Sequence, residues 1–140
     1  MMGMQDIRAW AVAASVALSV GAAPSFCFAA DAADPAQLKT GQQVYEHICQ
    51  ACHMADGKGG TGAGTIPALA SDPHLAVAAY PATVVMNGKG AMPWFNGVLS
   101  PAQVADVVNY VRTHFGNHYT DALTPQVVGS MAGPLKVDDH

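Results

Sequence analysis

Residues 49–53 read CQACH, and residues 54–65 continue as MADGKGGTGAGT. Two thiols stand three residues apart, an imidazole follows at once, and glycine then keeps returning. Upstream, Leu38, Gly41, Tyr45, Ile48 and Cys52 recur at helical spacing. Asp34-Pro35 offers an N-cap and a first helical residue ahead of them. The pentapeptide therefore sits at the end of a predicted helix, with Cys49 and Cys52 on one face. The glycine-rich residues 57–67 make the loop beyond it.

Two further segments carry helix signals. Residues 71–88, SDPHLAVAAYPATVVMNG, have Asp72-Pro73 as one start, Pro81 as a second and Gly88 as a stop. They predict two short helices, or one helix kinked at Pro81. The strongest signal is Ser100-Pro101-Ala102-Gln103, a capping box with proline at the first helical position. Leu99 and Val104 fit a hydrophobic staple around that cap. Val104, Val107, Val108, Val111 and Phe115 then form one apolar stripe, which Gly116 ends. A second loop covers residues 87–97. No alternating strand pattern and no internal repeat appears, so the chain reads as all-α. From Asn117 onward, Thr124-Pro125 and Gly133-Pro134 predict an irregular tail wrapped on the surface.

The chain has 140 residues, which favours one domain. Only 11% are charged, the formal net charge is −4, and no Lys/Arg run occurs, which argues against a nucleic-acid partner. Aromatic residues make up 7%. A small α-rich domain with so few needs a metal, a disulfide or a large cofactor to complete its core. After Arg8, residues 9–30 carry no charge and end in small residues, with cleavage expected after Ala29 or Ala32. Residues 1–32 thus read as a secretory signal peptide. An uncleaved membrane anchor is the alternative, since the run is long enough to span; its Ala/Ser content and Pro24 favour cleavage. The PSF before Cys27 lacks the small and aliphatic residues of a lipoprotein signal. Cleavage removes Cys27 and leaves Cys49 and Cys52, too few for a disulfide framework.

Cys-x-x-Cys-His is the attachment signature of c-type haem. Thiols on one helix face reach the two vinyl groups on one edge of the ring, and His53 falls beneath the iron as a neutral imidazole ligand. A zinc site would need a second ligand pair at set spacing, and His47, His74, His114 and His118 form none. A redox dithiol would need a strand before Cys49. On the far side of the ring, Met92 lies in NGKGAMPWF, after a turn and before Pro93, which stiffens the backbone. Met54 adjoins His53, Met86 sits in an apolar helical run, and Met131 lies in the tail; Met92 is the ligand expected. His/Met ligation fills both axial positions and suits electron transfer rather than catalysis. No acid, base and open iron face of a peroxidase-like enzyme is recognisable. GKGGTG, residues 57–62, matches a dinucleotide fingerprint only literally, with no strand before it and no helix after it. Lys58 reads as a solvated charge.

Residues 41–117 resemble the class I c-type cytochromes, and particularly bacterial monohaem members, through GQQVYEHICQACH, IPAL, NGKGAMPWF and LSPAQVADVVNYVRTHFGN. The resemblance implies the all-α cytochrome c fold, with short helices and loops wrapped around one covalent haem c over residues 33–117, and a C-terminal tail at 118–140. It implies that Gly41 and Tyr45 cross Val107 and Tyr110, and that the Pro67 carbonyl receives the other N–H of His53. Cys49, Cys52, His53, Met92 and Pro67 are then the cofactor-binding residues, with His53 and Met92 on the iron. The lysine ring of mitochondrial members is missing. The tail NHYTDALTPQVV looks like that of cytochromes working beside periplasmic dehydrogenases. The function implied is a periplasmic single-electron carrier between redox proteins, a dehydrogenase as donor and an oxidase as acceptor. The alternatives are a haem subunit of a membrane-associated dehydrogenase complex and a peroxidase-like haem enzyme. Membrane contact is expected only if the N-terminal segment is retained.

Overall fold

The computed structural model describes residues 34–61 and 64–134, so the expected signal peptide, Cys27 and the last six residues lie outside the described part. Asp34 does cap a short helix, but only a 3-10 turn over Pro35–Gln37. The first α-helix, α1 (Gly41–Val44), begins six residues later than the Asp34-Pro35 signal predicts. Thr40 caps it by a capping box, its hydroxyl accepting from Gln43 N at 3.1 Å. Thr40-x-x-Gln43 has the same spacing as Ser100-x-x-Gln103, and a reciprocal cap of this kind outweighs a lone Asp-Pro. The helix runs on without a break through a π turn, Tyr45–Cys49, into α2 (Gln50–His53).

The expected all-α character holds, with one small exception. Residues Gly60–Thr61 (β1) and Thr65–Ile66 (β2) pair as a short antiparallel ladder inside the loop after His53. Pairs this short carry no alternation, so periodicity could not reveal them. Next come a 3-10 turn at Pro73–Ala76, capped by Asp72, and helix α3 (Ala79–Asn87). Pro81 lies in the first turn of α3, where proline is tolerated, and produces no kink. The longest helix, α4 (Pro101–Thr113), has the expected Ser100 capping box and proline start. It ends three residues before Gly116; Phe115 already has φ +57°.

The tail departs most from expectation. Rather than being irregular, it forms helix α5 (Pro125–Met131), capped by the Thr124 hydroxyl, and buries Val128 completely against the core. Thr124-Pro125 is the same cap-plus-proline pattern that opens α4.

The core is built from Val44 and Tyr45 on the first helix, Ala82 and Met86 on α3, and the stripe Val104, Val107, Val108 and Val111 on α4. Gln103 ties in the N-terminal turn, donating to the carbonyls of Pro35 at 2.6 Å and Leu38 at 3.0 Å. The first helix meets α4 at Gly41. A Cβ there would lie 2.1 Å from the Asp106 carbonyl oxygen and 2.9 Å from Tyr110 Cβ. The contact at Gly41 falls on the Asp106 carbonyl and Tyr110, while Val107 joins Val44 and Tyr45 in the core beside it. Tyr45 packs beside Tyr110 with ring centroids 5.7 Å apart.

Arg112, invisible as a core residue in sequence, is fully buried. Its guanidinium donates to Leu75 O at 2.8 Å, to Ala76 O at 3.2 Å, and to both the backbone carbonyl and the side chain of Asp121. One buried cation thereby ties α4 to the Pro73–Ala76 turn and to the tail, with its donors satisfied as burial requires.

Two outcomes follow from this packing. Gly41→Val has no room and should cost about 3 kcal/mol, or roughly 10–20 °C in thermal midpoint; Met54→Leu, at a residue 44% exposed, should leave the midpoint nearly unchanged. Calorimetry on the two variants checks this. The Arg112 bond holds the Asp121 carboxyl below its usual pKa of 3.8. A depressed carboxylate contributes stability that is complete above the ordinary aspartate range and is lost as pH falls through the folded-state value. Asp121→Asn should therefore melt below the parent at neutral pH, and the gap should narrow as pH falls through the folded-state value.

Candidate haem site

The first helix delivers CQACH, and the π turn decides how it is presented. Gln50 N–H bonds back to the Tyr45 carbonyl, five residues earlier. One residue more per turn rotates the following face by about 100° relative to a regular helix. Cys52, expected on the apolar stripe, is consequently exposed, while Cys49 is half-buried and His53 is buried. Tyr45 stays in the core, and its hydroxyl donates to the Met54 carbonyl at 2.7 Å. Burial pushes that phenol up to about 12, so it remains a donor at any working pH. Met54 itself stops the helix at φ +66°. A non-glycine residue held in that conformation is uncommon and marks an over-determined turn.

The glycine loop then doubles back. Gly59 N–H donates to the His53 carbonyl at 3.1 Å, and Gly57 O accepts from Leu69 N at 2.6 Å and from Ala70 N at 3.0 Å. A Cβ at Gly59 would lie 2.2 Å from Ile66 O and 2.7 Å from Pro67 O. Only glycine lets the two arms of the loop approach so closely, and that approach brings Pro67 to the histidine. His53 Nδ1 lies 3.2 Å from the Pro67 carbonyl oxygen. A carbonyl can only accept, so Nδ1 carries the proton and Nε2 keeps its lone pair. Burial lowers the His53 pKa, and the Pro67 bond opposes that shift more weakly. The ring is thus a neutral imidazole with a fixed tautomer. Asn117, which sequence reading passed over, holds this loop to α4. Its amide donates to Leu69 O at 2.8 Å and Val111 O at 2.9 Å, and its oxygen accepts from Asp72 N at 3.0 Å.

Met92 lies half-buried in the loop that leaves α3. Lys89 and Met92 exchange both backbone hydrogen bonds, each 3.1 Å, which makes a closed turn. Beyond Pro93, Phe95 N donates to Val85 O at 2.9 Å and Asn96 N to Met86 O at 3.3 Å, lacing the loop to α3. Met86 is a core residue, as its apolar run predicts, and Met131 packs at the core edge. Phe95 packs against the core and Trp94 is half-buried. Lys58 is exposed and pairs with Asp56 at 3.0 Å.

The donor set suits a covalent haem. Two free thiols three residues apart on one helix precede a buried imidazole whose Nε2 has no hydrogen bond among the described residues. Among the described residues no cluster of His, Cys, Asp and Glu could hold a metal without such a ring. Burial, then the neighbouring Cys52, pushes the Cys49 thiol up to about 12. The π turn and the Tyr45–Met54 bond have no sequence signature, since each depends on what the helix packs against.

Comparison with known proteins agrees with this chemistry. Residues 36–111, more than half of the chain, match the family model described as cytochrome C oxidase, cbb3-type, subunit III. Cytochrome c6 of Picosynechococcus sp. is 34% identical over 119 residues, spanning 77% of this chain and 94% of that protein. The gluconate 2-dehydrogenase cytochrome c subunit of Pantoea cypripedii is 32% identical over 114 residues, 73% of this chain. The cytochrome c subunit of the quinone alcohol dehydrogenase of Gluconobacter oxydans is 39% identical over 93 residues, 59% of this chain. The matches span only 26% and 20% of those two dehydrogenase subunits. With these relatives, a matching family model and a haem-attachment pentapeptide at the end of its first helix, the chain belongs to the cytochrome c family: it is a class I c-type cytochrome, an electron-transfer protein that carries haem c covalently.

Proposed function

We propose that the protein is a monohaem, His/Met-ligated carrier that moves single electrons in the periplasm, from a dehydrogenase towards the respiratory chain. Cys49 and Cys52 would hold the ring through thioethers, His53 Nε2 and the Met92 sulfur would ligate the iron, and Pro67 would orient His53. The bound haem supplies a one-electron couple. The carrying observation is the His53–Pro67 hydrogen bond, 3.2 Å long, which leaves Nε2 directed away from the loop that fixes Nδ1. A carbonyl partner of this kind sets the tautomer and raises the ligand's basicity. The Lys89–Met92 turn supports the second ligand, because a backbone closed on both sides presents its thioether with little freedom. A neutral thioether opposite a neutral imidazole raises the reduction potential.

The dehydrogenase subunits among the relatives favour a second reading, in which the chain serves as the haem module of a membrane-associated complex. Among the described residues no helix is long and apolar enough to cross a membrane, so such an attachment would use residues 1–33 or a partner protein.

Two measurements test these readings. The ferric protein should show the thioether–iron charge-transfer band, and Met92→Ala should abolish it and lower the potential, whereas Met131→Ala should leave both unchanged. A wild-type spectrum without that band would remove Met92 from the iron. N-terminal sequencing of the haem protein from separated periplasm and membranes should find a start after Ala29 or Ala32 in the periplasmic fraction. An intact N-terminus confined to membranes would favour the complex subunit.

A further inference from the structure

The family model matches residues 36–111, and the tail beyond it is held to α4 by several side chains. Arg112 grips Asp121 by its backbone and side chain. Asn109 pairs with Leu123 in both directions, donating to its carbonyl and accepting from its N–H, each at 2.8 Å. Tyr119 N donates to Arg112 O at 3.0 Å. These bonds lay the tail along α4 and start α5, which seats Val128 fully in the core and Met131 at its edge. The tail then reaches a second destination. Gly133 O accepts a hydrogen bond from Asn96 Nδ2 at 3.2 Å. Asn96 is four residues after Met92, and its own N–H is bonded to Met86 O on α3.

We infer that the segment 121–134 is a strap that holds the Met92 loop closed, with Asn96 as the positioning residue that joins the two. The inference rests on Met92 being the second iron ligand. A loop that presents a thioether must resist competing ligands, and that resistance depends on how far the loop can open. Lys89–Met92 closes the loop on its near side. On its far side, Phe95 and Asn96 hold it to α3, and the Asn96 side chain holds it to the tail. The tail is itself fixed to α4 by a buried guanidinium and a two-way amide pair. Releasing the strap beyond Leu123 leaves in place Asn117 and Tyr119, which tie the His53 loop at Leu69 and Asp72. The part of the tail that reaches Asn96 therefore acts on the Met92 loop and not on the loop that fixes His53.

The test is titration of the ferric holoprotein with imidazole, read at the thioether–iron charge-transfer band, alongside thermal melting of the same samples. Asn96→Asp keeps the size of the side chain and removes the donor to Gly133. It should tighten imidazole binding by roughly threefold, as expected for losing one hydrogen bond of ordinary strength. A chain ending at Leu123 should tighten it by roughly tenfold or more. Asn96→Gln retains a donor and should restore part of the resistance. Val104→Ala, in the core and away from the strap, controls for stability: it should lower the midpoint and leave imidazole affinity unchanged. Wild-type affinity in Asn96→Asp overturns the inference, as does affinity that simply follows melting temperature across all the variants. If the shortened chain does not mature with haem, the Asn96 variants decide alone. A band missing from the wild type overturns the Met92 ligation first, and the strap with it; a band present but indifferent to Asn96→Asp overturns the strap only.

Discussion

The close approach of the first helix to α4 at Gly41 sets the geometry on which the site depends. With the Asp106 carbonyl 2.1 Å from where a Cβ would be, the two backbones touch with nothing between them. That contact places Tyr45 against Tyr110 and inside the core. Tyr45 then reaches forward nine residues to bind the Met54 carbonyl, the point at which CQACH ends and the chain turns away. A crossing between two helices thus fixes the orientation of a pentapeptide more than two turns further along. The π turn between them absorbs the mismatch, keeping Tyr45 in the core while turning Cys52 off the apolar stripe.

Two loops carry the proposed ligands, and they are restrained in different ways. The loop after His53 is held by close backbone contact: a glycine approach, a two-residue ladder and the Asn117 amide converge on the Pro67 carbonyl. The loop carrying Met92 is held by its own turn, by the last turns of α3 and by the tail. The histidine side draws on Asn117 just after α4, and the methionine side draws on the tail further on, through Gly133.

Few charges take part in any of this. Arg112 is the exception, and its burial is sustainable because Leu75, Ala76 and Asp121 supply oxygen acceptors on every side. The rest of the stability comes from a valine stripe and from neutral amides that replace backbone partners. The small core noted from composition is extended by a tail that folds back as α5 and buries Val128.

Several features were determined by the sequence alone. The attachment pentapeptide needs only the spacing of Cys49, Cys52 and His53. The start of α4 needs only Ser100, Pro101 and Gln103, because a cap is a local exchange of hydrogen bonds. Local capping logic also accounts for Thr40 at α1 and Thr124 at α5, where the residues themselves carry the signal and a competing Asp-Pro or a presumed irregular tail obscured it. Tertiary structure decided the rest. Whether Cys52 lies on the apolar stripe depends on the π turn, and whether Arg112 is buried depends on carbonyls up to 37 residues away. The meeting of His53 with Pro67, and of Asn96 with Gly133, likewise joins residues 14 and 37 positions apart. Such pairings leave no local pattern, since they exist only once the packing of α1 and α5 on α4 has brought distant segments together.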